Sequence, residues 1–129
     1  MKILLKGVAA MGLLALAGPA LAEFPWFVLA QREIHAESGD RQVIGVRGER
    51  RFIAMRLCVS RQAVNFRQVD VRYREGGSRT FQIRGTLPNQ RCTGDIALPG
   101  GGGALAEVAV SYDSTGLRTR GARLQLHAR

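Results

Sequence analysis

Residues 51–59 read Arg-Phe-Ile-Ala-Met-Arg-Leu-Cys-Val, and residues 69–74 read Val-Asp-Val-Arg-Tyr-Arg. In the first stretch Ile53, Met55, Leu57 and Val59 alternate with Ala54, Arg56 and Cys58. In the second, Val69, Val71 and Tyr73 alternate with Asp70, Arg72 and Arg74. A pleated strand sends successive side chains to opposite faces, so a period of two predicts strands with one face in a core and one in water. Helical spacing is nearly absent. The same rhythm continues at Phe81 and Ile83, at Val108, Val110 and Tyr112, and at Ala122, Leu124, Leu126 and Ala128, where Arg123, Gln125 and His127 lie opposite. Weaker strands are expected over 26–33, 42–46 and 95–98. About eight short strands separated by turn signals predict an all-β fold, a single-domain antiparallel β-sandwich.

Parity makes two finer expectations. The stretch Glu75-Gly76-Gly77-Ser78 marks a hairpin. A three-residue loop over 76–78 would set Tyr73 opposite Phe81 and Val71 opposite Ile83, with Asp70 facing Arg84 and Glu75 facing Arg79. Val64 and Phe66 are even, whereas the apolar positions from Val69 onward are odd. A bulge near Arg67 and Gln68 would reconcile them.

The ends of the pattern set the compartment. Lys2 and Lys6 precede an uncharged, Leu- and Ala-rich run, Gly18-Pro19 breaks it, and Ala20-Leu21-Ala22 fits a signal-peptidase site. The uncharged run over 7–22 falls short of the ~20 residues that cross a bilayer. Residues 1–22 are therefore expected to be a cleaved signal peptide and 23–129 the domain, periplasmic or extracellular after removal at Ala22. Of the 129 residues, the domain keeps seventeen arginines and no lysine against ten acids, a net charge of +7. Its size suits one hydrophobic core. In an oxidising compartment Cys58 and Cys92 are expected to form a disulfide, since neither stands in a Cys-x-x-Cys or a zinc-ligand spacing.

Little in the chain suggests catalysis. Glu33 and His35 are two residues apart and Glu37 could extend the row, yet 31–40 reads as a polar loop. No Gly-x-Ser-x-Gly and no His-Glu-x-x-His is present, so no catalytic residue, metal ligand or cofactor is expected. His127, outward by parity, should be solvated. The glycines at 100–103 lack the Lys-Ser/Thr pair of a phosphate loop and read as a strand connection. The outward residues Arg56, Arg72, Arg74, Arg84 and Arg123 are candidates for an anion-binding face, through forked hydrogen bonds to phosphate, sulfate or carboxylate. Composition bias in a GC-rich genome would produce the same abundance of arginine. Nucleic acid is not an expected partner, because the stacking aromatics Tyr73, Phe81 and Tyr112 point to the core. Phe24, Pro25, Trp26 and Phe27 either plug one end of the sandwich or form a recognition patch.

Several segments together resemble a known type. They are Trp26-x-x-Leu29, Val43-Ile44-Gly45-Val46, the block at 51–57, the block at 69–73 before its glycine turn, and Val108-Ala109-Val110-Ser111-Tyr112. The whole is similar to small exported Gram-negative bacterial proteins of unknown function and, more distantly, to the YaaI type, where Asn89-Gln90-Arg91-Cys92 finds a counterpart. The resemblance implies an exported all-β protein and brings no functional residues with it.

These readings point to a non-enzymatic binding module contacting anionic envelope polymers, lipid headgroups or acidic proteins through outward arginines. The alternative is a structural or protein-interaction domain using a strand edge or the aromatic patch. On secretion in a bacterial host the chain should begin at Glu23. Intact mass and N-terminal sequencing check this, and a product retaining Lys2 and Lys6 would contradict it.

Overall fold

The structure is a computed structural model and describes residues 25–117 and 121–129. The signal-peptide reading of residues 1–22 lies outside the described residues, as does Phe24. Among the described residues ten strands follow in order: β1 Phe27–Ile34, β2 Arg41–Gly45, β3 Arg51–Phe52, β4 Ala54–Ser60, β5 Val64–Tyr73, β6 Ser78–Leu87, β7 Arg91–Cys92, β8 Ile96–Ala97, β9 Gly103–Tyr112 and β10 Ala122–Ala128. They make two antiparallel sheets, β8-β4-β10-β1 with β7 also on β4, and β2-β9-β5-β6 with β3 also on β9. The sheets do not close into a barrel, so the architecture is the expected all-β sandwich.

Apolar alternation builds the interior. Met55, Leu57 and Val59 of β4 join Leu124, Leu126 and Ala128 of β10 in one cluster with Phe66, Val69 and Val71 of β5 and Val108 and Val110 of β9. Each fully buried aliphatic side chain contributes about 1.5–3 kcal/mol relative to exposure. The expected bulge is present: β5 shifts register between Phe66 and Gln68 against β6, and between the same residues against β9. One extra residue there turns Val64, Phe66, Val69 and Val71 all inward.

Two expectations change. The β5–β6 hairpin places its loop at 74–76: the Gly76 N–H donates to the Tyr73 carbonyl at 3.1 Å and the Tyr73 N–H to the Gly77 carbonyl at 3.1 Å. Gly76 takes the left-handed residue of this turn, at φ 98°. Val71 therefore faces Arg79 instead of Ile83, Val69 faces Phe81, and Asp70 faces Thr80 instead of Arg84. A slip of four positions keeps every side chain on its expected face, so parity alone could not exclude it. Glu75 is 3.8 Å from Arg51 instead of facing Arg79.

Ile53 is the second. It stands outward, 45% exposed, because the chain changes sheets there. Phe52 pairs with Gly103 in one sheet, while Ala54 pairs with Ala97 in the other. The N–H groups of Ile53 and Ala54 both donate to the Arg129 carbonyl, at 2.7 and 3.0 Å. Such a bend lets a strand turn a sandwich corner.

Three staples hold the margins. The disulfide Cys58–Cys92 joins directly opposed residues of β4 and β7. Asp40 accepts from the Ser114 N–H at 3.0 Å and from its hydroxyl at 2.6 Å, and the hydroxyl bond holds the Asp40 carboxyl below the usual carboxylate range. Gly102, at φ 86°, passes so close to β3 that a Cβ there would lie 1.9 Å from the Phe52 carbonyl oxygen. Gly102→Ala should lower the unfolding free energy by roughly 3 kcal/mol, against about 1 kcal/mol for Gly101→Ala, whose Cβ would meet open space. Removing the disulfide as Cys58→Ala with Cys92→Ala should cost up to about 3.8 kcal/mol on the loop-entropy account. Urea unfolding of each variant measures all three.

Candidate functional site

The five arginines singled out by alternation are divided between the two sheets. Arg56 on β4 and Arg123 on β10 belong to one, whereas Arg72 on β5, Arg74 just beyond it, and Arg84 on β6 belong to the other. Most are engaged within the protein. Arg72 pairs with Glu107 at 3.0 Å, and Arg123 with Glu33 at 3.1 Å. Arg74 donates to the carbonyls of Gly48, at 2.7 Å, and Val46, tying down the loop before β3. Arg84 is exposed beside Arg67 along a shallow depression also lined by Gln82. The five do not make one cationic face.

A different set of arginines converges at the corner where the chain changes sheets. A groove of about 290 Å³ is lined by Pro25, Phe27, Arg50, Arg51, Phe52, Ile53 and Arg129. Two of the large apolar side chains left exposed line it, Phe27 at 38% and Ile53. The Arg50 guanidinium lies 4.5 Å from the Phe27 ring centroid, and Arg56 and Arg129 lie over the Trp26 ring at 4.3 and 4.5 Å. Planar guanidinium groups favour such stacking because the ring face carries negative charge. Phe27 thus forms a partly exposed patch instead of plugging the core. Arg129 also holds Asp95 at 2.7 Å, and Arg51 donates to the Gly102 carbonyl at 3.2 Å. Sequence alternation missed this site because it sent Ile53 inward. The adjacent aromatics at 24–27 and the paired arginines at 50 and 51 were the available signals.

Behind the corner, a polar row crosses the outer face of the β4–β10–β1 sheet. Gln125 Nε2 donates to Gln31 Oε1 at 2.8 Å, and Gln125 Oε1 lies 3.1 Å from His127 Nε2. Arg56 Nε donates to His127 Nδ1 at 3.1 Å, and the Cys58 Sγ is 3.6 Å from the same nitrogen. A guanidinium always donates, so Nδ1 must accept, which leaves the proton on Nε2, directed at Gln125. His127 keeps its expected outward parity but is only 9% exposed, correcting the expectation of a solvated ring. Burial, then the facing Arg56 charge, pushes its pKa below the ordinary histidine value.

The Glu33, His35, Glu37 row does not assemble as an acid–base site. Arg61 and Arg123 take the two carboxylate oxygens of Glu33, and the Arg123 hydrogen bond holds its carboxyl below the usual range. His35 caps the short 3₁₀ turn Ala36–Ser38, its N–H donating to Ser38 Oγ at 2.8 Å. Among the described residues, no group of three His, Cys, Asp or Glu side chains could hold a metal ion. Nor, among them, is any helix long and apolar enough to cross a membrane.

His127 ties stability to pH. Its folded pKa is depressed, so below the unfolded value of ~6.5 the unfolded chain binds more protons. Its contribution is complete above that pH and is lost as the pH falls toward the folded value. Chemical unfolding between about pH 8 and pH 5 should show stability decreasing on acidification, with a flatter profile in His127→Gln. An equally steep profile in the variant would assign the dependence elsewhere.

No curated protein and no solved structure matches the chain. One family profile does, over residues 7–128, and so spans almost the whole sandwich. By that match the protein belongs to the family described as Domain of unknown function (DUF2541).

Proposed function

We propose that the protein is an exported, non-catalytic binding module of a Gram-negative envelope, distantly akin to the YaaI type, that docks on anionic lipid headgroups through its corner groove. The observation that carries this reading is the coincidence of Arg50, Arg51 and Arg129 with exposed Phe27 and Ile53 around one concavity. Phosphate oxygens match the forked donors of arginine. Exposed aromatic and aliphatic side chains beside them suit the boundary between headgroup and acyl chain, which a purely cationic face would not. The sequence of residues 1–22 and the paired cysteines support the exported part of this reading.

A second reading, a protein-interaction domain, draws on one observation. Strand β6 lies at a sheet edge, ten residues long and exposed over most of its length. Its free backbone groups could pair with another strand.

Co-sedimentation with vesicles decides between them. Phosphatidylglycerol vesicles should bind the protein and phosphatidylcholine vesicles should not. Binding should weaken at least tenfold from ~0.05 M to ~0.5 M salt, since exposed charges are screened over ~10 Å at 0.1 M. Arg50→Ala with Arg51→Ala should abolish it, and Phe27→Ser should weaken it. Equal affinity for both vesicles, or none for either, would overturn the lipid reading. Salt-insensitive self-association would instead favour the strand edge.

A further inference from the structure

The two sulfurs of the disulfide are inequivalent. Cys92 is exposed on β7, a strand of only two residues. Cys58, in β4, is 8% exposed. Cys58 Sγ lies 3.6 Å from His127 Nδ1, and that nitrogen is held by Arg56 Nε at 3.1 Å. Arg56 is in turn fixed by stacking on Trp26. The Cys92 end of the bridge is therefore open to solvent, while Cys58 lies beside an imidazole that an immobilised guanidinium holds in place. A disulfide that only joined two strands would need neither.

We propose that this bridge is a thiol–disulfide exchange site, attacked at Cys92 with Cys58 as the leaving group, its co-reactant a small-molecule or protein thiol. In the first step a thiolate attacks Cys92 Sγ, the Cys58–Cys92 bond breaks, and its electron pair leaves on Cys58 Sγ. The products are a mixed disulfide on Cys92 and a Cys58 thiolate. A second thiolate attacks the sulfur that came from the first thiol, releasing Cys92 as thiolate and an oxidised disulfide of the co-reactant. The protein gains two electrons and the two thiols lose them. A leaving thiolate departs faster when it is stabilised, and nearby cations stabilise it. Arg56 supplies the charge, and His127 Nδ1, accepting from Arg56 Nε, holds the guanidinium in place beside Cys58.

The charged group facing His127 across the sheet is Arg56 of β4. On the other side β1 places Val28 opposite it, and on β10 itself Gln125 meets Nε2. The strands stay joined after reduction. Leu57 N–H donates to Thr93 Oγ1 at 3.0 Å, Thr93 N–H to the Leu57 carbonyl at 2.8 Å, and Gln90 N–H to the Val59 carbonyl at 3.0 Å.

The test exposes the folded protein to reduced glutathione, quenches with acid, blocks free thiols with N-ethylmaleimide, and maps the adducts by mass spectrometry. Glutathione should be found on Cys92 and maleimide on Cys58. This mapping needs no substitution, so it does not depend on a variant folding. Arg56→Gln should slow exchange roughly tenfold, while Arg56→Lys should keep most of the rate. In Cys92→Ser, thiolate absorbance should place the Cys58 pKa below the ordinary thiol value of ~8.5, and adding Arg56→Gln should raise it. Glutathione on Cys58, adduct formation only in denaturant, or a rate and thiol pKa unchanged by Arg56→Gln would each overturn the proposal.

Discussion

The Arg129 carbonyl accepts from two successive N–H groups, those of Ile53 and Ala54, and this three-centre arrangement determines where the sandwich turns its corner. On one side of it Phe52 is committed to β9, and on the other Ala54 is committed to β8 and to the end of β10. A strand that switches sheets would otherwise leave buried backbone donors without partners, at a cost comparable to a lost hydrogen bond each. Satisfying them at one acceptor brings β3, the start of β1 and the Arg129 side chain to the same place. The aromatic–arginine groove is a by-product of that closure.

The protein spends much of its positive charge internally. Arg74 clamps the carbonyls of a loop, Arg61 and Arg123 share Glu33, and Arg72 crosses to Glu107. Exposed pairs of this kind contribute little to stability, commonly under about 1 kcal/mol each. They do orient side chains and neutralise the faces on which they lie. Net charge is therefore a poor guide to where a ligand would bind here. The corner differs because Arg50 and Arg129 stack on aromatic rings there, which sets cationic and apolar groups side by side.

The outer face of the β4–β10–β1 sheet has a different character. There Gln31, Gln125, His127 and Arg56 form a continuous hydrogen-bonded row, and the row ends beside a disulfide. A buried histidine with both ring nitrogens occupied has a defined tautomer, so its lone pair has a defined direction. Rigid placement of a neutral imidazole between a fixed cation and a sulfur makes the local electrostatics depend on both pH and redox state.

Alternation of side chains along the chain was enough to establish the all-β class, the inward sets of β4, β5, β9 and β10, the disulfide partners and the bulge beyond Phe66. Each of these depends on a period of two, or on a pair with no competitor, and neither requires knowledge of distant neighbours. Tertiary structure decided the rest. The hairpin slipped by four because any even slip preserves parity, and turn geometry at Gly76 selected among the permitted registers. Ile53 turned outward because the hydrogen bond its N–H donates to the residue 129 carbonyl outweighed its local pattern. His127 kept its face yet lost its solvent, since Arg56 and Cys58 come from a strand about seventy residues away. Face is a local property of an extended chain, whereas pairing, burial and convergence depend on which strands meet.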